Sequence, residues 1–126
     1  MPPKPQSEYV SFVIEQMSVV RGLRVKGMFG GYGIFQDDCM FALMIEDQLY
    51  FKADASTRAE FEAKGLKPFT YQARGKWVEV NYFEAPPEVF DEADEMRIWV
   101  NKALAVAIAA RKLKPKEVKN ASSLRA

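Results

Sequence analysis

The sequence predicts a two-layer α+β fold with elements in the order α-βββ-α-ββ-α. Three observations carry this. Apolar residues recur at helical spacing near both ends of the chain. Between them the apolar period drops to two, as in half-buried strands. The turns joining those strands are short polar stretches such as "QDDC" and "EDQ", too short for a parallel crossover, so neighbours pair antiparallel. There are no repeats and no internal linker, and one layered domain results. Its limits are set at 8–112, between a loose proline-rich segment 1–7 and a basic, flexible tail 113–126.

Ser7 is placed to cap a first helix over 8–21, in which Val10, Val13, Ile14, Met17 and Val20 share a face. Gly22 is expected to terminate it. Leu23 and Val25 then alternate with Arg24 and Lys26 in a strand. Residues 32–35, 40–45 and 49–53 continue this into a meander of three or four strands. Asp54 is expected to cap a short helix, with Thr57 and Glu60 at capping-box spacing and Gly65 just past its end. "PFTYQA" and "WVEVNYF" read as a hairpin closed by "RGK", and the prolines of "EAPPE" stop the sheet. A last helix over 92–112, capped by Asp91, sets Trp99, Val100, Ala103, Leu104, Val106 and Ala107 on its inner face, with Ala93 and Ala110. Ile98, Ala105 and Ala109 fall on the opposite arc.

Composition narrows the chemistry. At 126 residues with 48% hydrophobic content the chain can bury a core. It has no histidine, which removes the commonest general base and metal ligand. Its single cysteine, Cys39, excludes an intrachain disulfide and a multi-cysteine zinc cage, and suits a reducing cytosol. No apolar run has the length of a membrane span, and the start lacks a signal-peptide core, so a cytoplasmic location is expected. Net charge is +1, yet residues 111–126 hold six Lys/Arg against one Glu. An acidic body with a basic tail follows.

The segment "RVKGMFGGYGIF" crowds four of the seven glycines together. A P-loop would need Lys-Ser/Thr after the last glycine, and a dinucleotide fingerprint a glycine at position 36, where Gln36 stands. The motif Met28, Phe29, Gly30, Gly31, Tyr32, Gly33 is therefore read as structural, a bend or bulge beside aromatic rings. Gly31 is expected to need a positive φ. Asp37-Asp38 and Glu46-Asp47 belong in hairpin turns, and Cys39 reads as a small buried hydrophobe. The strand aromatics must face both sides of the sheet; an RNA-stacking surface would look similar, but few basic residues interleave them, so core packing is preferred.

The segments "RVKGMFGGYGIFQDDCMFALMIEDQLYFKAD", "FEAKGLKPFTYQARGK" and "YFEAPPEVF" resemble the TfoX (Sxy) N-terminal domain family in order and spacing, over about Phe12 to Ala110. The resemblance implies a fold like that of secretion chaperones, and a role as a positive regulator of natural competence acting with the cyclic-AMP receptor protein. It implies no catalytic residue, cofactor or metal. The expected function is thus a non-enzymatic regulatory module that contacts a protein partner. Ile98, Ala105 and Ala109 are the candidate contact residues, for a second copy of the chain or another protein. Two alternatives stand beside it: weak, non-specific DNA binding through Arg111, Lys112, Lys114, Lys116 and Lys119, and an enzyme built on an unrecognised carboxylate site.

Overall fold

The structure, a computed structural model, describes residues 8–18, 20–28 and 30–113. The expected α+β order holds, with four strands in the first group. Helix α1 (Glu8–Gln16) precedes β1 (Leu23–Met28), β2 (Gly31–Gln36), β3 (Cys39–Ile45) and β4 (Gln48–Lys52). Helix α2 (Ala55–Ala63) leads to β5 (Pro68–Ala73) and β6 (Lys76–Glu84), and after a 3₁₀ turn at Pro87–Phe90 comes α3 (Ala93–Leu113). The six strands form one antiparallel sheet in the order β1-β2-β3-β4-β6-β5. Strand β6 slots between β4 and β5, pairing Phe51 with Phe83, so β5 and β1 are the edges.

Local chemistry explains most boundaries and corrects three of them. The first helix stops at Gln16, five residues before the expected end. Its backbone tightens as Met17 N–H donates to both Val13 and Ile14 carbonyls (3.1 and 3.0 Å), and Val20 N–H to Met17 O (2.9 Å). Gly22, at φ 70°, belongs to the turn beyond it. Ser7 lies outside the described residues. At α2 the capping box is Asp54 with Thr57, not Thr57 with Glu60. The Asp54 carboxylate accepts from the Ser56 and Thr57 amides (both 2.9 Å), and Asp54 N–H donates to the Thr57 hydroxyl (3.0 Å). The Thr57 amide, then Ser56, holds that carboxyl below its ordinary range. Gly65 closes α2 as expected: its N–H donates to Glu62 O and that of Leu66 to Phe61 O, with Gly65 at φ 76°. Asp91 does not cap α3; it ends the 3₁₀ turn, and the first α3 bond runs from Met96 N–H to Glu92 O.

All three helices pack on one face of the sheet. Val13 and Met17 join Ile34, Phe41, Met44, Leu49, Phe51 and the α3 stripe in a single buried cluster. The α3 stripe is as expected for Trp99, Val100, Ala103, Leu104, Val106 and Ala107, while Ala93 is exposed and Ala110 half-buried. Phe61 lies between Phe83 (centroids 5.3 Å, interplanar 21°) and Trp99 (5.0 Å, 53°), joining α2, β6 and α3. A bulge in β3 serves the same core: Ile34 faces Ala42 and Phe35 faces Met40, leaving Phe41 as the extra residue. Phe41 and Ala42 can then both reach the core, which strict alternation would forbid.

Gly31 is constrained by contact rather than conformation. A Cβ there would collide with the Met44 carbonyl on the neighbouring strand, and the positive φ of this stretch sits at Gly30 (75°) instead. The expectation of a left-handed Gly31 is therefore wrong, although the glycine requirement stands. Gly31→Ala is expected to cost on the order of 2–3 kcal/mol and lower the melting temperature by several degrees or more. Gly30→Ala, with open space around its Cβ, should cost about 1 kcal/mol. Thermal unfolding followed by circular dichroism checks both; equal, small losses would contradict the steric account.

Candidate functional site

The glycine motif builds no anion cradle. Gly31 opens β2 opposite Met28, Gly33 lies within it between Lys26 and Leu43, and the chain runs on into strand rather than into a helix N-terminus. The space beside Gly33 is filled by the Met28 and Met40 sulfurs, 2.7 and 2.8 Å from where a Cβ would lie. Phe29 is outside the described residues.

The carboxylate pairs occupy hairpin turns. Glu46 and Asp47 both take positive φ (50° and 63°), the pattern of a primed hairpin turn, and Asp37 does so at 52°. Asp38 is held between two arginines, 3.6 Å from Arg24 and 3.4 Å from Arg111. Among the described residues no three His, Cys, Asp or Glu side chains converge on a metal-sized site. Cys39 is half-buried against the core. Ile98, Ala105 and Ala109 are exposed on α3. Of the basic candidates Arg111 is occupied with Asp38, and Lys114, Lys116 and Lys119 lie outside the described residues.

What stands out is the face of the sheet that carries no helix. Register assigns its members: Gly33 lies beside Leu43, Leu43 beside Tyr50, Lys52 beside Tyr82, and Tyr71 beside Val78. Each is one step out of phase with the core residues Ile34, Met44, Phe51 and Phe83. On this face Met40, Leu43, Phe69, Tyr71, Val80 and Tyr82 line a groove of about 310 Å³. One wall is aromatic, with Tyr50 edge-on to Phe69 (5.3 Å, 65°) and Phe69 stacked near Tyr71 (6.2 Å, 24°). Tyr71 remains 43% exposed. The floor is closed by Tyr82, whose hydroxyl donates to Met40 O at 3.2 Å and whose ring lies 5.0 Å from the Lys52 ammonium.

One end of the face is acidic. A neighbouring hollow is lined by Glu46, Gln48, Tyr50, Lys67, Phe69 and Glu84 among others. Burial raises the Tyr50 hydroxyl pKa, and the Glu84 and Glu46 charges add to it. An apolar floor, an aromatic wall and an acidic end suit the apolar side chains of a partner segment. They offer no nucleophile with a base beside it. Sequence reading did not single out this face. The signal was there in β3, "CMFALMI", which is apolar at both parities although one-sided helices can cover only one of them.

Burial pushes the Tyr82 hydroxyl up to about 12, from an ordinary 10.0. A folded value above the unfolded one means that the contribution to stability is intact below pH 10 and is lost as pH climbs towards about 12. Ultraviolet titration of the five tyrosines should therefore show a late-ionising phase that Tyr82→Phe abolishes. A variant with the same titration curve as the wild type would mean that Tyr82 is not shielded in this groove.

The sequence is similar to those of known proteins. A curated relative from Aliivibrio fischeri, DNA transformation protein TfoX1, is 34% identical over 67 residues, 53% of this chain. The aligned part is 32% of that protein, so the chain spans about a third of its relative's length. The TfoX N-terminal domain family itself matches residues 15–107, from the end of α1 through most of α3. With three quarters of its length matched, including the entire sheet and the groove it carries, this chain belongs to the TfoX N-terminal domain family.

Proposed function

We propose that this chain is a non-enzymatic, cytoplasmic regulatory module in the control of DNA uptake, acting by protein contact through the open face of its sheet. The observation that carries the reading is the groove formed by Met40, Leu43, Phe69, Tyr71, Val80 and Tyr82. A sheet face this apolar, bare of helices while the core is packed on the other face, is the kind of surface that a partner buries. Family membership and the name of the Aliivibrio relative, a DNA transformation protein, supply the biological direction. Protein is favoured over nucleic acid because Glu46 and Glu84 would repel a phosphate backbone at one end of the face.

The test is genetic and structural together. Deleting the gene in its host should lower the frequency of transformation by marked DNA, and the wild-type chain should restore it. Tyr71→Lys, at an exposed position of edge strand β5, should leave the melting temperature within a few degrees yet restore transformation at least about tenfold less well, as expected when a buried contact is charged. Transformation that is unaffected by the deletion overturns the role in DNA uptake. Full restoration by Tyr71→Lys overturns the contact surface.

A further inference from the structure

We infer that the protein partner adds an extended segment as a further strand along edge strand β5, with an acidic residue at the start of that segment set against Arg74 and Lys76. This rests on the open sheet face as the contact surface and names how that face is met. The two edges of the sheet differ. Strand β1 carries Arg24 and Lys26, charges that deter another strand from pairing there. Strand β5 carries no charge in Pro68–Ala73, and beyond its opening proline and irregular start the run 70–73 pairs without a break to 76–79. Alternate residues of such an edge turn their N–H and C=O groups outwards, where no strand among the described residues takes them.

Exposed rings flank this edge on both faces. Tyr71, 43% exposed, stands on the groove side beside Val78. Trp77, 70% exposed and paired with Gln72, is one step out of phase and lies on the helix side, as does Glu79, which reaches Arg58 of α2 at 3.6 Å. Side chains that alternate along an added strand cover both rings at once; a helix laid in the groove would cover Tyr71 alone. Charge selects the occupant. From Lys67 to Lys76 the chain holds three cations, Lys67, Arg74 and Lys76, and no carboxylate. Among the described residues none of the three lies within ion-pair distance of a carboxylate. A second copy paired edge to edge, Pro68 opposite Ala73, would set Lys67 against Arg74 twice over and bring no acid to either. An acidic strand from another protein meets these charges instead. It runs antiparallel, as every neighbour in the sheet does, so its start lies at the Arg74 end, away from Glu46 and Glu84 at the other.

Panning random peptides of about twelve residues against the full chain supplies the probe, since that length overruns both ends of the edge. The enriched sequences should alternate apolar residues, exclude proline and carry Asp or Glu on the N-terminal side. In the best peptide, N-methylation of every second amide in one phase should weaken binding about tenfold or more, and in the other phase change it less than about twofold, because only alternate N–H groups face β5. Arg74→Glu and Tyr71→Lys, both at exposed positions, should each weaken it about tenfold. Equal tolerance of the two N-methylated forms, with binding still lost on Tyr71→Lys, overturns strand addition and leaves the open face as the contact. Binding indifferent to both substitutions overturns the two together. Failure to enrich any peptide overturns the inference, as does single-stranded DNA bound in a peptide's place and released by Arg74→Glu.

Discussion

Phe61 between Phe83 and Trp99 is the contact on which the asymmetry of the molecule depends. It draws α2, from the connection after β4, onto the same side of the sheet as α3. Without that anchor α2 is a short, mostly polar helix whose single buried residue is Phe61. Burying one such ring stabilises by about 2–3 kcal/mol, more than the polar remainder of a nine-residue helix can supply. Three helices on one face bury the core cluster and leave the second face to itself. The open groove is thus a consequence of how the core is filled.

Much of this was legible in local chemistry. Tight polar turns required antiparallel neighbours, Gly65 marked the end of α2, and the α3 stripe ran where the apolar period put it. The misses have physical causes. The apolar period of α1 runs on through Val20, but its last turn is tightened by bonds three residues apart, which a side-chain pattern does not register. Asp54 caps α2 as expected, but the residue that completes its capping box is Thr57, whose hydroxyl rather than a carboxylate accepts from the Asp54 amide. The collision that fixes Gly31 involves Met44, a residue on another strand.

The candidate site was less legible for the same reason. Alternation announced that Tyr50, Tyr71 and Tyr82 face one way and Phe51 and Phe83 the other, but which side the helices cover is decided by non-local packing. Insertion of β6 beside β4 is likewise set by pairing between residues some thirty apart, such as Phe51 with Phe83. Only that pairing brings Leu43, Val80 and Tyr82 into one groove. The α3 strip, by contrast, depends on one helix alone, and so Ile98 and Ala105 could be placed on its outer side from sequence.

The central claim is that the uncovered sheet face is where this domain meets another protein. Site-specific photo-cross-linking in living cells tests it directly, with the reactive side chain placed at Tyr71 on that face or at the exposed Ala59 of α2 on the helix side. The account predicts a discrete protein adduct from position 71 and none from position 59. Adducts from position 59 alone, equal adducts from both, or nucleic acid captured at position 71 would contradict it.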